Sequence, residues 1–338
     1  MHNLLTIPSK LSNYPVDWVE NIDEIKQQIN SDNTITIIDK NVAMLYPDLC
    51  EHPSCIIIPA EESSKTLKMA GKLSKVLIKS KANTRTKLVA IGGGIVQDLV
   101  GFVASIYCRG IDYTLVPTTL LAQADSCIGG KTSINHGDRK NILGTFYPPT
   151  NILIYPGFID TLTTTDYLSG WGEIYKFHIL QGKMSEFSLD DVDSCIQDGL
   201  KYKASILAID EFDKGERRWL NYGHTFGHAL ETSSDHKIPH GLAVILGSMI
   251  ATRIAHKLEY KVKDYDLILS TGINLIKQSG LKLKKSWFDF NELMEIVKSD
   301  KKSTGELTMA LVDSKPNLVN VKDLSIVKEA LKEVYESI

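Results

Sequence analysis

Two histidines, His224 and His228, lie four residues apart in the stretch RRWLNYGHTFGHALE. The surrounding spacing of apolar residues is typical of a helix, and residues four apart on a helix share one face. Both imidazoles could therefore reach the same metal ion or the same substrate. The alternative is a hydrogen-bonded pair of histidines packed on a half-buried helix, and this stretch alone does not decide between the two interpretations.

A metal ion at His224 needs further ligands, and the chain offers two candidates. His240, in IPHGLAV, precedes a second apolar helical stretch, and Glu173, in GWGEIYKF, lies in an apolar helical stretch of its own. An unpaired carboxylate would be costly to bury there. Two imidazoles and one carboxylate with an open fourth position are a common catalytic zinc set. Lys176 follows Glu173 by three residues, so an i,i+3 ion pair is one role for that lysine.

The glycine run in AIGGGIVQDLVGF follows a segment with the pattern of a buried strand and opens a helical pattern. Backbone N–H groups at such a helix N-terminus can bind a phosphate or pyrophosphate. The run is not GxGxxG, so a tight strand-to-helix turn explains it equally well. Asp39 ends the apolar run TITIID, where an acidic residue commonly accepts hydrogen bonds from a ribose; a helix N-cap is the alternative.

The densest polar stretch of the chain is VPTTLLAQADSCIGGKTSINHGDRKNILGTFYPP. The glycines ahead of Lys131 remove side-chain bulk, so that its ammonium could approach a phosphate closely. We expect a long loop without regular structure here, and such loops in compact domains are usually functional. A solvated surface loop is the alternative. The polar residues that the stretch gathers are Asp125, Lys131, Asn135, Arg139, Lys140 and Asn141.

The elements that must position these residues change character along the chain. Strand patterns alternate with helical patterns up to about residue 155, which predicts an α/β domain with a Rossmann-like parallel sheet. Beyond NILIYPGFIDTL, helical periodicity takes over. A chain of 338 residues also exceeds one ordinary core. We therefore predict an α/β domain over residues 1–155 and a mostly α-helical domain over residues 156–338.

Composition excludes several classes of protein. The formal net charge of −3 and an apolar fraction of 43% indicate a soluble globular protein without a broad basic surface for nucleic acid. Five scattered cysteines without CxxC spacing disfavour a disulfide framework and fit a reducing compartment. The N-terminal residues lack a signal-peptide pattern, and no window approaches the roughly 20 apolar residues of a membrane span. We expect a cytoplasmic protein that binds neither membrane nor nucleic acid.

Seven motifs occur in a specific order along the chain. They are GGGIVQDLVGF, RGIDYTLVPTTLLAQADSCIGGKTSIN, RKNILGTFYPP, GEIYK, DEFDKGERRWLNYGHTFGHALE, HGLAV and DKK. In this order and at about these spacings, the chain resembles 3-dehydroquinate synthase and the other sugar-phosphate cyclases over residues 35–310. VPTTLLAQADSCIGGKT and LNYGHTFGHALE are the most specific parts. Glycerol-dehydrogenase-like enzymes share the glycine turn and the general architecture but not the lysine-rich stretch.

The resemblance implies a dehydroquinate synthase-like fold, a bound NAD, one divalent zinc, for which cobalt could substitute, and a homodimer. Glu173, His224 and His240 would hold the metal, and His228, one turn beyond His224, would face the substrate. The residues at the family's NAD-binding positions are Asp39, Asn41, Glu62, Lys65, Gly93, Gly94, Asp98, Thr118 and Thr119. The residues that would line the substrate pocket are Arg109, Asp125, Lys131, Lys140, Asn141, Lys176, Lys203, Arg217, Asn221 and one of Lys301 and Lys302.

The implied reaction converts a seven-carbon keto-acid sugar phosphate (DAHP) to 3-dehydroquinate and phosphate, a step of the shikimate pathway to aromatic amino acids. It proceeds by transient oxidation, phosphate elimination, re-reduction and intramolecular aldol closure, so the enzyme would be a carbon–oxygen lyase. Arg217 with the Lys301 and Lys302 pair suits a substrate carboxylate, which favours the keto acid. The alternatives are a 2-deoxy-scyllo-inosose synthase or a sedoheptulose-phosphate cyclase, a metal-dependent polyol dehydrogenase that releases NADH, and a nucleotide-binding protein that has lost catalysis.

The chain departs from the family pattern close to the proposed metal ligands. Gly172 precedes Glu173 where the family usually has Ala, and Phe177 and His178 stand in place of Tyr-Gly. Leu242 replaces the glutamate of HGEAV, and LTTTDY replaces the LPxRE lead-in to the metal helix. These departures remove no proposed ligand or catalytic lysine. They leave the identity of the substrate more open than the type of reaction.

Overall fold

The computed structural model describes residues 1–137, 139–300 and 307–338. The chain forms two compact units, Met1–Leu162 and Thr163–Ile338. The strands are β1 His2–Ile7, β2 Tyr14–Trp18, β3 Thr34–Asp39, β4 Cys55–Ile58, β5 Lys87–Gly92, β6 Tyr113–Pro117, β7 Lys131–His136, β8 Arg139–Phe146, β9 Asn151–Ile154, β10 Leu307–Val312 and β11 Pro316–Val321. The helices are α1 Ile22–Ile29, α2 Lys40–Leu45, α3 Leu67–Lys79, α4 Gly94–Ile106, α5 Thr164–Gln181, α6 Val192–Ile209, α7 His224–Ser233, α8 His240–Lys257, α9 Tyr265–Gln278, α10 Phe290–Asp300 and α11 Leu324–Ser337.

The first unit is built on a seven-stranded sheet with the strand order β1-β2-β9-β6-β5-β3-β4. Its strands run parallel except for β1, which pairs antiparallel with β2 at one edge. The central strands β3 and β5 are almost entirely buried, as expected for a parallel sheet covered on both faces, which explains their continuous apolar runs. The predicted Rossmann-like parallel sheet is confirmed. Because β3 and β5 are neighbours, Asp39 and the glycine turn lie at the same edge of the sheet.

The prediction of an unstructured loop in the lysine-rich stretch is wrong. Residues Lys131–His136 and Arg139–Phe146 form an antiparallel hairpin, β7 and β8. Thr132 and Ile134 are buried while Lys131, Ser133 and Asn135 are not, which is the alternation of a half-covered strand. The Thr132 and Thr145 hydroxyls lie 2.7 Å apart across the two strands. The dense polar residues obscured this short alternating pattern.

The second unit is mostly helical, as predicted, and α8 lies at its centre. Nearly every residue of α8 from Gly241 to Ala255 is buried, and α5, α7, α9 and α11 pack around it. A helix that is apolar on all sides is typical of such a central position. The hairpin β10–β11 is an addition that sequence periodicity did not predict. Across the described residues, every helix is too short or too polar to cross a membrane, and no disulfide joins the five cysteines.

Glycines bring the backbones of three helices into direct contact. A Cβ atom at Gly241 of α8 would overlap the Ser169 carbonyl oxygen of α5, and one at Gly172 would overlap the Gly241 carbonyl oxygen. A Cβ atom at Gly247, further along α8, would overlap the carbonyl oxygen of Gly223, which immediately precedes α7. Helix α8 therefore touches α5 and α7 at points where no side chain fits between the backbones.

We expect Gly247→Ala to destabilise the protein, because its methyl group can be accommodated only if α7 and α8 move apart. Overpacking of this kind costs about 1–3 kcal/mol. Gly71→Ala is the matched control, since a Cβ atom there meets nothing within 4 Å on the exposed face of α3; that change should increase stability by about 0.5–1 kcal/mol. Denaturant unfolding midpoints of the two variants measure the difference, and equal midpoints would contradict the proposed backbone contact.

Candidate active site

The structure brings Glu173, His224 and His240 together in the second unit. Glu173 Oε1 lies 3.3 Å from His224 Nε2 and 3.2 Å from His240 Nε2. The three donor atoms lie within 4.8 Å of one another and could hold one metal ion. One carboxylate oxygen and two imidazole nitrogens are a donor set that zinc prefers. The residues present therefore fit a divalent metal.

Local structure places each of these ligands at a defined point. His224 and His240 are the first residues of α7 and α8, preceded by Gly223 with a positive φ of 77° and by Pro239. Only a residue that tolerates the left-handed region, most readily glycine, starts α7 in this way. Glu173 lies in the middle of α5, beside the backbone contact at Gly172. The glycine contacts thus bring the three ligands to one place.

The second ring nitrogen of each histidine is also engaged. His224 Nδ1 lies 3.1 Å from the Tyr222 carbonyl oxygen, and His240 Nδ1 lies 3.1 Å from Glu231 Oε2. Burial alone would lower the pKa of His240, but its hydrogen bonds to Glu173 and Glu231 outweigh burial and raise that pKa to about 10. Without a metal, His240 therefore carries a proton between two carboxylates. A metal ion would take the place of that proton at Nε2.

Lys176 forms the i,i+3 ion pair with Glu173 that the sequence offered as one role. The pair lies in the interior, with the side chains only 2% and 1% exposed, so it differs from a surface pair of small value. Burial by itself would raise the pKa of Glu173, but Lys176 and then His224 more than compensate and hold that pKa well below its usual range. Removing either partner would leave a buried charge, at a cost of about 3–5 kcal/mol.

His228 lies on α7, beside the candidate metal ligands His224 and His240. Its ring centroid is 5.2 Å from that of His224 and 5.7 Å from that of His240. The side chain is exposed, whereas Glu173 is fully buried. His224 and His228 therefore lie on one face of α7, as predicted. The group of possible metal ligands that includes Glu173 contains His224 but not His228.

At the N-terminus of α4, Gly93 and Gly94 present an open backbone. Gly93 is the N-cap and has no side chain to satisfy the first N–H groups of α4. A Cβ atom at Gly93 would come within 3.0 Å of Thr119, so a larger residue would crowd this turn. Free N–H groups at a helix N-terminus are suited to a phosphate or pyrophosphate.

Asp39 is the N-cap of α2, and its carboxylate accepts a hydrogen bond from the Asn41 N–H at 2.8 Å. The N-cap role offered by the sequence is therefore observed, and a contact with a ribose stays a prediction.

A polar network joins the predicted cofactor residues to the hairpin. The Lys65 ammonium donates to Asp98 at 2.7 Å and to Asn141 Oδ1 at 2.6 Å. The Asn135 side-chain amide donates to Glu62 Oε1 at 2.7 Å. Burial raises the pKa of Asp98, and Lys65 offsets only part of that effect. Residues that the sequence divided between cofactor and substrate therefore share one set of hydrogen bonds.

A cavity in the first unit lies next to this network. Its lining includes Gly94, Asp98, Ser126 and Lys131. Gln97, which sequence reasoning did not select, also lines it and accepts from the Ser126 hydroxyl at 2.9 Å. In the part of the chain that the structure describes, the Gln97 amide nitrogen has no hydrogen-bond partner. The cavity therefore offers both a cation and an amide donor to a bound oxygen atom.

The other predicted residues are spread over both units. In the first, Arg109 follows α4 with a positive φ of 67°, Asp125 lies in the short helical turn Ala122–Ser126, Lys140 lies in β8, and Thr118 follows β6. In the second, Lys203 and Arg217 are buried and Asn221 is exposed. Lys301 and Lys302 lie outside the described residues.

Asp210 positions Arg217 and was missed by sequence reasoning. Its carboxylate accepts from the backbone N–H groups of Lys214, Gly215 and Arg217 at 3.0, 2.6 and 3.1 Å. Burial raises the pKa of Asp210, but these three donors hold it below its ordinary value. The Arg217 guanidinium donates to the Glu211 carbonyl oxygen. An aspartate followed by glycine and charged residues was the available signal for such a turn.

Comparison with known proteins identifies the family. The 3-dehydroquinate synthase N-terminal family matches residues 55–169, and the 3-dehydroquinate synthase C-terminal family matches residues 171–303. The chain belongs to the 3-dehydroquinate synthase family. A 3-dehydroquinate synthase of Caldanaerobacter subterraneus subsp. tengcongensis is 33% identical over 330 residues, which cover 90% of this chain and 92% of that protein. A 3-dehydroquinate synthase of Dictyoglomus turgidum is 41% identical over 263 residues, covering 74% and 73%.

A solved structure extends the likeness to three dimensions. A crystal structure of 2-deoxy-scyllo-inosose synthase complexed with carbaglucose-6-phosphate, NAD+ and Co2+ superimposes with a TM-score of 0.84 at 26% identity. The match covers 97% of this chain and 99% of that one. The dehydroquinate synthase-like fold is therefore confirmed over nearly the whole chain.

Three of the residues that depart from the 3-dehydroquinate synthase pattern, Gly172, Leu242 and His178, have structural roles. Gly172 lies at the backbone contact between α5 and α8. Leu242 is fully buried in α8. His178 is buried at the end of α5, where its Nδ1 lies 2.9 Å from the Ile174 carbonyl oxygen and its ring packs edge-on against Phe187. These residues shape the packing around the ligand-bearing helices.

We expect His224→Ala to lower zinc affinity by more than about 100-fold. Loss of a residue that only supports a ligand costs up to about 100-fold, and loss of a ligand itself should cost more. His228→Ala is the matched control on the same helix and should keep its zinc, because His228 lies outside the group around Glu173. Competition with a chromophoric chelator measures both affinities. Equal loss of zinc from the two variants would show that the roles of the two histidines are wrongly divided.

Proposed function

We propose that the protein is a 3-dehydroquinate synthase that converts DAHP to 3-dehydroquinate and phosphate. The observation that carries the proposal is the group of Glu173, His224 and His240 in a chain of this family. The enzyme would be a phosphate-eliminating carbon–oxygen lyase that depends on NAD and a metal ion. The N-terminal unit would bind NAD, and the C-terminal unit would hold the metal.

Zinc, or cobalt in its place, would be held by Glu173, His224 and His240. Such an ion would polarise a substrate hydroxyl and lower its pKa. The protein's own contribution is to keep the three donor atoms close together and the Glu173 carboxylate ionised. The ion pair with Lys176 keeps Glu173 ionised in the interior.

NAD would bind at the edge of the sheet where β3 and β5 end. Gly93 and Gly94 would offer backbone N–H groups to the pyrophosphate, and Asp39 would accept from a ribose hydroxyl. NAD would supply the hydride acceptor and return the hydride later, so that it is regenerated in each turnover. Glu62, Lys65 and Asp98 form the polar network beside this turn.

Basic residues would bind the phosphate that leaves. Lys131 lies in β7 and Lys140 in β8 of the hairpin, and both would contribute cations to the phosphate site. Lys131 would stabilise the charge that gathers on this group as the C–O bond breaks. The transient ketone would acidify the C–H bond next to it, on the carbon adjacent to the one that bears the phosphate. With the phosphate held in this way, that proton can pass to a phosphate oxygen. The products of this step are then an enone and inorganic phosphate.

Recognition of the substrate carboxylate would distinguish the keto acid from neutral sugar phosphates. Arg217 is buried and its backbone is fixed by Asp210, which suits bidentate binding of a carboxylate. A second candidate function is a cyclase acting on a neutral sugar phosphate, since a 2-deoxy-scyllo-inosose synthase has a similar structure. The higher sequence identity to the 3-dehydroquinate synthases favours the keto acid.

A homodimer in the cytoplasm completes the proposal. The dimer follows from the resemblance to the family. The absence of disulfides among the five cysteines is consistent with a reducing compartment.

The test is turnover of candidate substrates by the purified protein with NAD and zinc. DAHP should give inorganic phosphate and 3-dehydroquinate in equal amounts, without net absorbance change at 340 nm. Glucose 6-phosphate and sedoheptulose 7-phosphate are the comparison substrates. Phosphate release from either of these but not from DAHP would favour the second candidate. Steady accumulation of NADH without phosphate release would indicate a polyol dehydrogenase and contradict the proposal.

We expect Lys131→Ala to slow turnover by about tenfold to a hundredfold, because a hydrogen bond to a charged group is worth about 1.5–3 kcal/mol. NAD affinity should be nearly unchanged, since the pyrophosphate is assigned to Gly93 and Gly94. Lys72→Ala, on the exposed face of α3, is the control and should leave both quantities unchanged. Steady-state kinetics and cofactor titration measure the two effects. A normal rate, or a loss confined to NAD affinity, would contradict this role of Lys131.

A further inference from the structure

We infer that Glu231 is a positioning residue for the metal site: it orients His240 so that the ring presents Nε2 to the ion. The inference rests on the proposed metal-dependent function. Glu231 lies on α7, seven residues after His224 and three after His228, and therefore on the same helical face. Its side chain is only 14% exposed, and its Oε2 lies 3.1 Å from His240 Nδ1.

The geometry of the His240 ring carries the argument. On one edge of the ring Nδ1 faces Glu231, and on the other Nε2 lies 3.2 Å from Glu173 Oε1. A carboxylate at Nδ1 only accepts hydrogen bonds, so the ring hydrogen stays on Nδ1 when a metal binds, and the lone pair of Nε2 points to the ion. The charge of Glu231 also makes Nε2 a more basic ligand.

The two imidazole ligands are supported in different ways. His224 Nδ1 meets the Tyr222 carbonyl oxygen, a neutral backbone acceptor that no side-chain change removes. His240 depends on the side chain of Glu231. A negative charge at this point has a second effect, since the Lys176 cation lies beside Glu173 and repels a divalent ion. Glu231 offsets that repulsion from the far side of His240.

A different arrangement of ions would give Glu231 another role. His228, Glu231 and His240 also have donor atoms within 4.8 Å of one another and could hold an ion of their own. With both groups filled, His240 would have to bind metal through both ring nitrogens and lose its last ring proton. The hydrogen bond from Nδ1 to Glu231 needs no such loss. The two arrangements differ in the number of ions bound per chain.

The test compares three variants of the full-length protein by their zinc affinity, their zinc content and the visible absorption spectrum of the cobalt-loaded form. Glu231→Leu removes the acceptor, and Glu231→Gln keeps an amide oxygen at the same place without the charge. Glu333→Gln is the matched control, because Glu333 accepts from Arg253 and Lys257 at 2.8 Å each in the same unit. Circular dichroism of each variant without metal establishes that it is folded.

We expect one zinc ion per wild-type chain. Glu231→Leu should bind zinc about 10–100-fold more weakly and shift the cobalt spectrum, as is usual when an outer-sphere partner of a metal-bound histidine is removed. Glu231→Gln should lose less affinity, and Glu333→Gln should match the wild type. If Glu231→Leu does not fold, the graded loss in Glu231→Gln alone, against an unchanged Glu333→Gln, supports the inference.

Several results would overturn the inference. The first is a folded Glu231→Leu variant that keeps the zinc affinity and the cobalt spectrum of the wild type. If the leucine variant does not fold, the same result in Glu231→Gln would overturn the inference. Another is an equal loss of affinity in Glu333→Gln, which would indicate a general effect of stability. A third result would be two zinc ions per wild-type chain and only one in the Glu231 variants. That result would identify Glu231 as a direct metal ligand. A wild-type protein that binds no zinc would contradict the proposed function itself, a result that is distinct from the others.

Discussion

Direct contact between helix backbones determines where the proposed metal ligands lie. Each of the three ligands is next to a glycine that takes part in such a contact: Gly172 precedes Glu173, Gly223 precedes His224, and Gly241 follows His240. A side chain at any of these glycines would overlap backbone atoms of a neighbouring helix. Because the glycines let α5 and α7 touch α8, donor atoms from three helices come within reach of one ion. The positions of the ligands depend on this packing more than on their spacing along the chain.

Electrostatics adds a second requirement, because the packing buries a carboxylate. Glu173 is fully buried, and a charge in that position needs compensation. Lys176 provides it on the same helix, and the two imidazoles approach the other carboxylate oxygen. The site is therefore stabilised without metal by a proton and an ammonium group. A divalent ion would displace only the proton, and the scaffold around the ligands would stay in place.

Much of this arrangement could be predicted from the sequence, for identifiable reasons. TITIID and the strand ahead of GGGIVQDL are continuous apolar runs that end at an aspartate and at a glycine turn, so the parallel sheet and its glycine turn could be predicted from them. The histidine pair at the start of α7 was visible through its spacing. The hairpin β7–β8 was not, because its alternation covers few residues and is masked by polar side chains.

The roles of Glu231 and Asp210 were not predicted from the sequence. Both carboxylates accept hydrogen bonds from groups that come close to them only in the folded chain. Glu231 lies three residues after His228 on one face of α7, a signal that could have been used. Its partner, however, is His240 on another helix. Asp210 accepts from three backbone groups of a loop, and no residue pattern shows which backbone groups will converge on a carboxylate. The roles of Lys301 and Lys302 remain predictions, since both lie outside the described residues.

The hydrogen bonds of Lys65 have a thermodynamic consequence. Lys65 holds Asp98 and Asn141 with its ammonium group, and its carbonyl oxygen accepts from the Asn135 N–H at 2.7 Å, so this one residue fixes the hairpin that carries Lys131. In the proposed function, a dinucleotide bound at Lys65 would also restrain the hairpin, and part of the entropy cost of ordering the proposed phosphate-binding residues would then be met before the sugar phosphate arrives. Linkage makes this effect reciprocal: the factor by which the cofactor strengthens substrate binding equals the factor by which the substrate retains the cofactor. An enzyme that regenerates its dinucleotide in every turnover benefits from this retention, because the reduced form stays bound until the hydride has been returned.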